Sequence, residues 1–335
     1  MLYQATIVLV LALLAQGSES RTLVRSSNAV EITEWVVPWE GTRPRDPAVG
    51  GPDKIWFVGQ QGDYVGLFDP ETAEFTRFDL DQGAGPHNVT VAPDGTPWYA
   101  GNRQSHIGRL DPESGEIEKF MMPEPDVVRD PHTLVFDEAG DVWFTAQMSN
   151  YVGRLSPARG GEVGLIEVPT PRARPYGIVL DSKQHPWLVE FGSNKIATVD
   201  PATMQLTEYP LPSEDARPRR IALTSDDAIW YVDYARGYLG RMDPVTHEVE
   251  EWQTPGGPNS QPYAMTVDDR DRLWFFETNP DPNRLVGFDP ATESFFSVTE
   301  LASGGGTVRH MVFDRTTRQI WFGTDTDTIG RAELR

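Results

Sequence analysis

Residues 130–157 read DPHTLVFDEAGDVWFTAQMSNYVGRLSP, and the pattern of this segment recurs along the chain. The pattern is a proline, a polar or aromatic residue, an apolar run, a turn, a tryptophan and a Val-Gly or Ile-Gly pair. The tryptophans after the turn stand 42 to 47 residues apart and are Trp56, Trp98, Trp143, Trp187, Trp230, Trp274 and Trp321. A period of this length indicates a propeller or another repeat architecture. Short apolar strands separated by turn residues within each unit favour the propeller.

Each unit predicts four antiparallel strands. An apolar run such as residues 88–92 is the innermost strand, and the tryptophan lies in the second. The third strand resembles residues 107–110 and commonly ends in Asp-Pro, where proline presets a turn. The fourth strand is outermost and more polar. The sequence therefore predicts an all-β fold, a seven-bladed β-propeller with four-stranded antiparallel blades.

The two ends of the chain predict how the ring closes. The seventh unit stops after three strands at residue 335. Residues 31–38, EITEWVVP, match a fourth strand, but the first three strands of a unit do not precede them. We expect the N-terminal segment to complete the last blade, because an unpaired strand edge is a liability that propellers must protect. No linker interrupts the period, so residues 21–335 are predicted to form one domain.

Residues 1–20 are predicted to be an export signal. An apolar core of residues 5–15 is followed by the small polar stretch 17–20, which is the pattern of a cleaved signal peptide. An uncleaved anchor is the alternative, but about 11 apolar residues are too few to cross a hydrocarbon core of about 30 Å. The expected location is periplasmic or secreted. The chain has no cysteine, so disulfides do not contribute to its stability.

The net charge of −21 argues against nucleic acid or an anionic membrane as a partner, because both would repel the chain. Of the 29 basic residues only four are lysines, so positive charge is usually carried by a guanidinium, which suits carboxylates and phosphates. We expect a monomer that binds a small molecule.

The positions at which the repeats carry different residues are the candidates for a functional site. The residues that follow the opening proline of each unit are Arg45, His87, His132, Tyr176, Arg219, Tyr263 and Arg309, the last after Val308. The residues three past each tryptophan are Gly59, Gly101, Ala146, Glu190, Asp233, Glu277 and Thr324. Because strands one and two are antiparallel, both sets are predicted to surround the same mouth of the central channel.

Arginine at this mouth predicts an anionic ligand such as a carboxylate. The predicted substrate-binding residues are Arg45, Tyr176, Arg219, Tyr263, Arg309, Glu190, Asp233 and Glu277. The alternative is a structural network in which the arginines neutralise the three acids across the channel. Flanking positions add further polar side chains, which are Arg43, Asp46, Asn88, Asp130, Arg174, Arg217, Arg220 and His310.

His87 and His132 occupy equivalent places on adjacent blades, and such a pair is well placed for acid-base chemistry. We predict both as catalytic. His106, His185 and His247 fall in loops or turns away from this ring and are assigned no role.

The phrases at residues 86–115 and 131–157, with Pro-His, Asp-Gly or Ala-Gly, tryptophan and Gly-Arg-Leu in order, resemble the virginiamycin B lyase (streptogramin lyase) family. The likeness covers residues 31–335. The resemblance implies a seven-bladed propeller that opens a cyclic depsipeptide by elimination at its ester, with Mg²⁺ and a histidine base. His87 fits the family's substrate-contacting histidine and His132 the base. Asp130 takes the place of one metal-binding glutamate, and Ala146 stands at the second.

The leading functional hypothesis is an exported, lyase-like enzyme that acts at the channel mouth on a small anionic or ester- or lactone-containing molecule. His132 would be the base, His87 a polarising partner, and Arg45, Arg219 and Arg309 anion clamps. A lactonase-like hydrolase would use similar groups. The alternative class is a propeller that binds a small ligand or serves as a scaffold without catalysis.

Overall fold

Each repeat forms one blade, because its four strands pair in sequence order: the inner strand, the tryptophan strand and the two outer strands. A computed structural model describes residues 22–27, 29–124 and 128–335. The predicted signal peptide lies outside these residues. The prediction of an all-β propeller with seven blades of four antiparallel strands is confirmed. In the described residues, two short 3-10 helices, Asn102–Gln104 and Pro157–Arg159, lie between consecutive strands.

The blades follow one another along the chain. Blade one contains β3 (Pro44–Gly51), β4 (Lys54–Gly59), β5 (Tyr64–Asp69) and β6 (Glu74–Asp79), and blade two contains β7 (Val89–Val91), β8 (Pro97–Gly101), β9 (His106–Leu110) and β10 (Ile117–Met121). Blade three contains β11 (Pro131–Phe136), β12 (Val142–Ala146), β13 (Tyr151–Ser156) and β14 (Glu162–Glu167), and blade four contains β15 (Pro175–Leu180), β16 (Pro186–Glu190), β17 (Lys195–Asp200) and β18 (Gln205–Pro210). Blade five contains β19 (Pro218–Leu223), β20 (Ile229–Asp233), β21 (Tyr238–Met242) and β22 (Val249–Gln253), and blade six contains β23 (Pro262–Val267), β24 (Leu273–Glu277), β25 (Arg284–Asp289) and β26 (Ser294–Glu300).

The seventh blade joins the two ends of the chain, as predicted. Its inner strands are β27 (Met311–Asp314), β28 (Gln319–Gly323) and β29 (Thr328–Leu334), and the fourth is β2 (Val30–Val36). The register of β2 against β29 runs from Val30 opposite Leu334 to Val36 opposite Thr328. A further strand, β1 (Thr22–Ser26), pairs with β2 on its outer side and was not predicted. The ring therefore closes through antiparallel pairing of the N- and C-terminal segments.

The repeated tryptophan and glycine are explained by packing. Trp143 is fully buried and packs against inner- and second-strand residues of the next blade, including Ile178 and Leu188. Gly153 lies opposite Phe144, and a Cβ on this glycine would overlap the Phe144 ring. In blade three the aromatic ring of the second strand thus requires glycine in the third.

The inner strands carry a repeated β-bulge directly after the opening proline. In blade three Pro131 lies opposite Ala146 but Leu134 lies opposite Phe144, so the inner strand holds one extra residue. The same irregularity occurs at the start of β3, β15, β19 and β23. A bulge interrupts the alternation of side chains and re-aims them. Two consecutive residues of one inner strand can therefore contribute to the channel.

Candidate functional site

His87 and His132 contact each other, with their rings tilted by 37°, where the inner strands of blades two and three begin. Their ring centroids are 3.6 Å apart, and the residues are only 7% and 1% exposed. His132 Nδ1 lies 2.9 Å from Thr133 Oγ1, and the His132 ring lies 4.1 Å from the Tyr176 ring. His132 Nε2 and His87 Nδ1 are buried without a hydrogen-bond partner among the described residues. The pair thus presents polar nitrogen atoms that the protein itself does not satisfy.

The electrostatic surroundings keep both imidazoles neutral. Burial lowers the pKa of His132 well below its ordinary value of 6.5, and the guanidiniums of Arg220 and Arg45 lower it further. Burial, followed by Arg45 and protonated His132, lowers the pKa of His87 in the same way. Both imidazoles are therefore unprotonated near neutral pH, which is the form that a general base must have.

Arg219 is held by aromatic rings. Its guanidinium carbon lies 3.7 Å from the centroid of Tyr263, 4.3 Å from Tyr234, 4.4 Å from Phe191 and 5.3 Å from Tyr176. Its Nε has no hydrogen-bond partner within the described part of the chain. A cation stabilised by ring faces keeps its charge available for an anion, because no carboxylate of the described residues pairs with it.

The hydroxyl groups of Tyr176 and Tyr263 hydrogen-bond to each other across the channel. Burial raises the pKa of Tyr176, but Arg219, Arg220 and Arg45 outweigh it and lower this pKa to about 8. The phenol of Tyr263 has a raised pKa because of burial and the neighbouring Tyr176. The first proton to leave this pair near neutral pH is therefore that of Tyr176.

Asp46 and Arg220 form an ion pair that crosses the channel from blade one to blade five. The Asp46 carboxylate is fully buried and lies 2.9 Å from Arg45 Nε, 3.2 Å from Arg220 Nη2 and 3.3 Å from Asn88 Nδ2. Burial raises the pKa of Asp46, but the two guanidiniums outweigh it and hold this pKa below the usual range. Two guanidiniums share one carboxylate, so the centre of the channel keeps a surplus positive charge.

Arg45 and Arg309, the other arginines that follow an opening residue of the inner strands, have partners that the sequence did not predict. Arg45 donates from Nη1 to Gln60 Oε1 at 3.0 Å, and its Nη2 has no partner among the described residues. Arg309 pairs with Asp325, which also lies 3.4 Å from Arg43 Nε. The alternative expectation, that ring arginines pair with Glu190, Asp233 and Glu277, is wrong: the ring's carboxylate partners in the described residues are Asp46 and Asp325.

The three predicted acids instead bind groups close to the second and third strands of their own blades. Ser193 donates to Glu190 at 2.6 Å, Arg236 to Asp233 at 2.6 Å, and Arg284 forms an ion pair with Glu277. All three are fully buried. Burial raises the pKa of Glu190 to about 7. The structure therefore does not bring these acids together with the histidines, and they are left out of the site proposed below.

The physical reason is a one-residue offset. A residue three past the tryptophan is the last residue of the second strand, and side chains along a strand alternate between opposite faces. The following residue, four past the tryptophan, is the one that reaches the ring in several blades: Gln60 contacts Arg45, Phe191 and Tyr234 contact Arg219, and Asp325 contacts Arg309. Reading one position further in each repeat would have found these residues.

Asp130 does not fit a magnesium site. Its Oδ2 accepts the backbone N–H of Met148 at 2.7 Å, and its Oδ1 accepts that of Ser149 at 2.8 Å. Ala146, at the second position implied by the resemblance, is buried and offers no oxygen from its side chain. Magnesium requires oxygen ligands in octahedral geometry, and the parts of the chain that the structure describes contain no group of three or more His, Cys, Asp or Glu side chains suited to a metal. No step is assigned to Mg²⁺ below.

The fold and the channel define a seven-bladed β-propeller with a cationic, histidine-containing centre. The model of the virginiamycin B lyase family matches residues 12–205 and 187–332. The chain belongs to this family. A comparison with curated protein sequences finds no match. In the described ranges, no helix is long and apolar enough to cross a membrane.

Solved structures similar to this chain include lyases of the same family. A streptogramin B lyase structure is 23% identical with a TM-score of 0.81, covering 92% of this chain and 98% of that chain. Selenomethionine-substituted virginiamycin B lyase from Staphylococcus aureus is 25% identical with a TM-score of 0.82, covering 91% of this chain and 100% of its own. A catalytically inactive His-to-Ala variant of that lyase with quinupristin is 24% identical with a TM-score of 0.82 over the same shares.

Proposed function

We propose that this chain is an exported enzyme of the carbon–oxygen lyase type that opens an ester- or lactone-containing molecule, or eliminates from a small anionic one, in the central channel. The observation that carries the proposal is the contacting pair of neutral histidines among the guanidiniums of Arg45, Arg219 and Arg220, with nitrogen atoms that no described residue satisfies. Membership of the virginiamycin B lyase family supports the reaction class.

The proposed base is His132. Its Nε2 would accept a proton from the carbon that is β to the ester oxygen and adjacent to a carbonyl. The electron pair of the broken C–H bond then forms a C=C bond, the alkyl C–O bond breaks, and the oxygen leaves as a carboxylate. A base that is unprotonated near neutral pH suits this step, and the hydrogen bond between Nδ1 and Thr133 Oγ1 orients the ring. His87 contacts this ring and would polarise the substrate.

Positive charge near the pair would stabilise the charge that develops during elimination. A fixed cation in a site that excludes water stabilises an enolate or a leaving carboxylate strongly. Arg219 is the best candidate because aromatic rings rather than a carboxylate surround it. Arg45 and Arg309 are already paired with Asp46 and Asp325, so they contribute through their field more than through direct contact.

The main alternative is a propeller that binds a ligand without catalysis, and the burial of the histidines favours it. Because His132 is only 1% exposed, a substrate can reach it only if side chains at the mouth move. Arg219 and Arg309 are partly exposed and are the side chains that we propose to move. A lactonase-like hydrolase is the second alternative, and it differs from a lyase in adding water to the product.

Turnover tests the proposal. A panel of cyclic depsipeptides, lactones and small hydroxy-acid esters would be incubated with the wild-type chain, with His132→Ala and with His185→Ala, whose side chain lies by Asp181 away from the channel. Loss of a general base typically costs about a hundredfold or more in rate, so His132→Ala should be inactive on any compound that the wild type and His185→Ala convert. Equal turnover by His132→Ala would remove this residue from the mechanism. No conversion of any compound by the wild type would favour the binding alternative.

A further inference from the structure

The channel contains a second compartment on the far side of the Asp46–Arg220 ion pair. This cavity, here called the lower cavity, has a volume of about 320 Å³ and is lined chiefly by the inner strands of blades four to seven, β15, β19, β23 and β27. It includes the residues toward the ends of these strands, such as Val179, Leu223, Val267 and Phe313. The residues that follow the opening prolines lie at the beginnings of the inner strands and surround the mouth of the channel, here called the upper mouth. The lower cavity therefore faces the opposite opening. Neither His87 nor His132 lines it.

The walls of the lower cavity are apolar. Ile178, Ile221, Met265 and Met311 form its buried part, and Val179 and Val312 are among the partly exposed residues nearer solvent. A volume of this size lies at the small end of the range for ligand sites, about 300–1,000 Å³, and such sites are mostly apolar with a few polar groups that fix orientation. The walls therefore suit a short hydrocarbon body.

The inner end of the lower cavity is polar. Arg220, Thr133 and His310 line it together. His310 Nδ1 is buried without a hydrogen-bond partner in the described part of the chain. Burial and the neighbouring Arg220 lower the pKa of His310 to about 3, so the ring is neutral at ordinary pH, and in the tautomer that carries the proton on Nδ1 this atom can donate one hydrogen bond. An acceptor atom is the group that would satisfy it.

The charge at this inner end is positive. Arg220 shares the single carboxylate of Asp46 with Arg45, so one guanidinium charge is left uncompensated beside the cavity. Arg315, which is exposed, adds a second cation to the lining. The acid nearest in sequence, Asp314, accepts hydrogen bonds from Thr316 and Thr317 in its own turn. An apolar body with an anionic head matches this combination of walls and end.

We propose that the lower cavity is a second ligand site, distinct from the upper mouth, that takes an amphipathic monocarboxylate with its head at Arg220 and His310. The hydrocarbon body would lie along Ile178, Ile221, Met265 and Met311. The site shares Arg220 and Thr133 with the surroundings of His132, but its lining excludes the histidine pair, so ligand binding there can be measured apart from turnover at the upper mouth.

Calorimetric titration of the full chain with octanoate, and with neutral octanamide as the matched ligand, tests the site. Octanoate should bind at least tenfold more tightly than octanamide. Val312→Trp should weaken octanoate at least tenfold by filling the cavity, whereas Val245→Trp, at a valine that is 82% exposed, should leave it unchanged. His310→Phe should weaken octanoate several-fold by removing the donor. Octanoate binding that is equal in Val312→Trp and Val245→Trp, or no tighter than octanamide binding, would overturn the proposal.

Methyl NMR of the wild-type chain provides a test that needs no cavity variant. Octanoate should shift the methyl signals of Met265 and Met311, which line the cavity, and leave those of Met148 and Met242, which do not. Uniform shifts or none would contradict the site. His132→Ala should bind octanoate normally, so failure of this proposal is distinguishable from failure of the proposed catalysis.

Discussion

Tyr176 reports the electrostatic field of the channel more directly than any other single residue. It contacts His132, Tyr263 and Arg219, and its ring lies 5.3 Å from the guanidinium carbon of Arg220. Burial alone would raise its pKa above 10, so the lowered value of about 8 requires that the arginines keep a net positive field. The protonation of this one phenol therefore tests whether the channel attracts negative charge.

We expect one phenol of the wild-type chain to lose its proton near pH 8. The ionised form gains from the arginines in the folded state, so this group adds stability as pH rises from its folded pKa of about 8 to its ordinary value of about 10, and that stability is lost as pH falls back through about 8. A phenolate absorbance titration should show this step in the wild type and not in a variant that lacks both phenols of the pair, Tyr176→Phe with Tyr263→Phe. Tyr234→Phe, which retains the Tyr176–Tyr263 pair, is the matched control and should keep the step. A wild-type chain with no phenol titrating below pH 9.5 would mean that the arginines are neutralised.

The sequence could predict which inner-strand residues lie at the channel mouth, but not which side chains they bind there. His87, His132 and Arg219 follow the opening prolines, so the repeat alone placed them at one mouth. Arg220 and Asp46 flank the positions that follow the opening prolines, and their ion pair across the channel depends on the β-bulges, which no periodicity reveals. The acid Glu190 was misplaced because a one-residue offset changes the face of a strand.

The strands of each blade are coupled by the size of facing side chains. Blade three pairs Phe144 with Gly153, whereas blade four pairs Leu188 with Ala197. A ring on the second strand accompanies glycine in blade three, and a smaller side chain accompanies alanine in blade four. Blade six departs from this pattern, because Phe275 lies opposite Val286. The Val-Gly pair of the repeat, read from sequence as a marker of the third strand, has this steric cause.

Gly153→Ala should therefore destabilise the protein. The new methyl group would overlap the buried Phe144 ring, and overpacking of this kind typically costs about 1–3 kcal/mol. Gly164→Ala, in the adjacent strand of the same blade, is the matched control, because its Cβ would meet only the flexible end of Met204. Urea unfolding should show a lower midpoint for Gly153→Ala than for Gly164→Ala. Equal midpoints would show that the ring can move aside.

The ring as a whole depends on β2. Val30, Ile32 and Trp35 are buried in the last blade, and the buried Glu34 accepts hydrogen bonds from Ser303 N and Thr328 Oγ1. The repeat pattern predicted this strand because the seventh unit lacked its fourth. It could not predict β1, because residues 22–26 lie outside the period and pair only with the open edge of β2.

Two truncations separate these strands. A chain that begins at residue 29 loses β1 but keeps β2, and it should still unfold cooperatively with a melting temperature close to that of a chain beginning at residue 22. A chain that begins at residue 39 loses β2 as well, exposing the edge of β29 and the apolar side chains beneath it, and should lose cooperative unfolding. Calorimetry distinguishes these outcomes. An unchanged melting temperature for the shorter chain would contradict closure by β2.

The mass of the product formed in heavy-oxygen water distinguishes elimination, with His132 as base, from hydrolysis of an ester in the propeller channel. Elimination within a ring breaks one C–O bond and creates one C=C bond, so the linear product should have the same mass as the cyclic substrate and contain no heavy oxygen. We predict this product for the wild type and for His185→Ala, and none for His132→Ala. A product heavier by one labelled water would identify a hydrolase and contradict the proposed elimination.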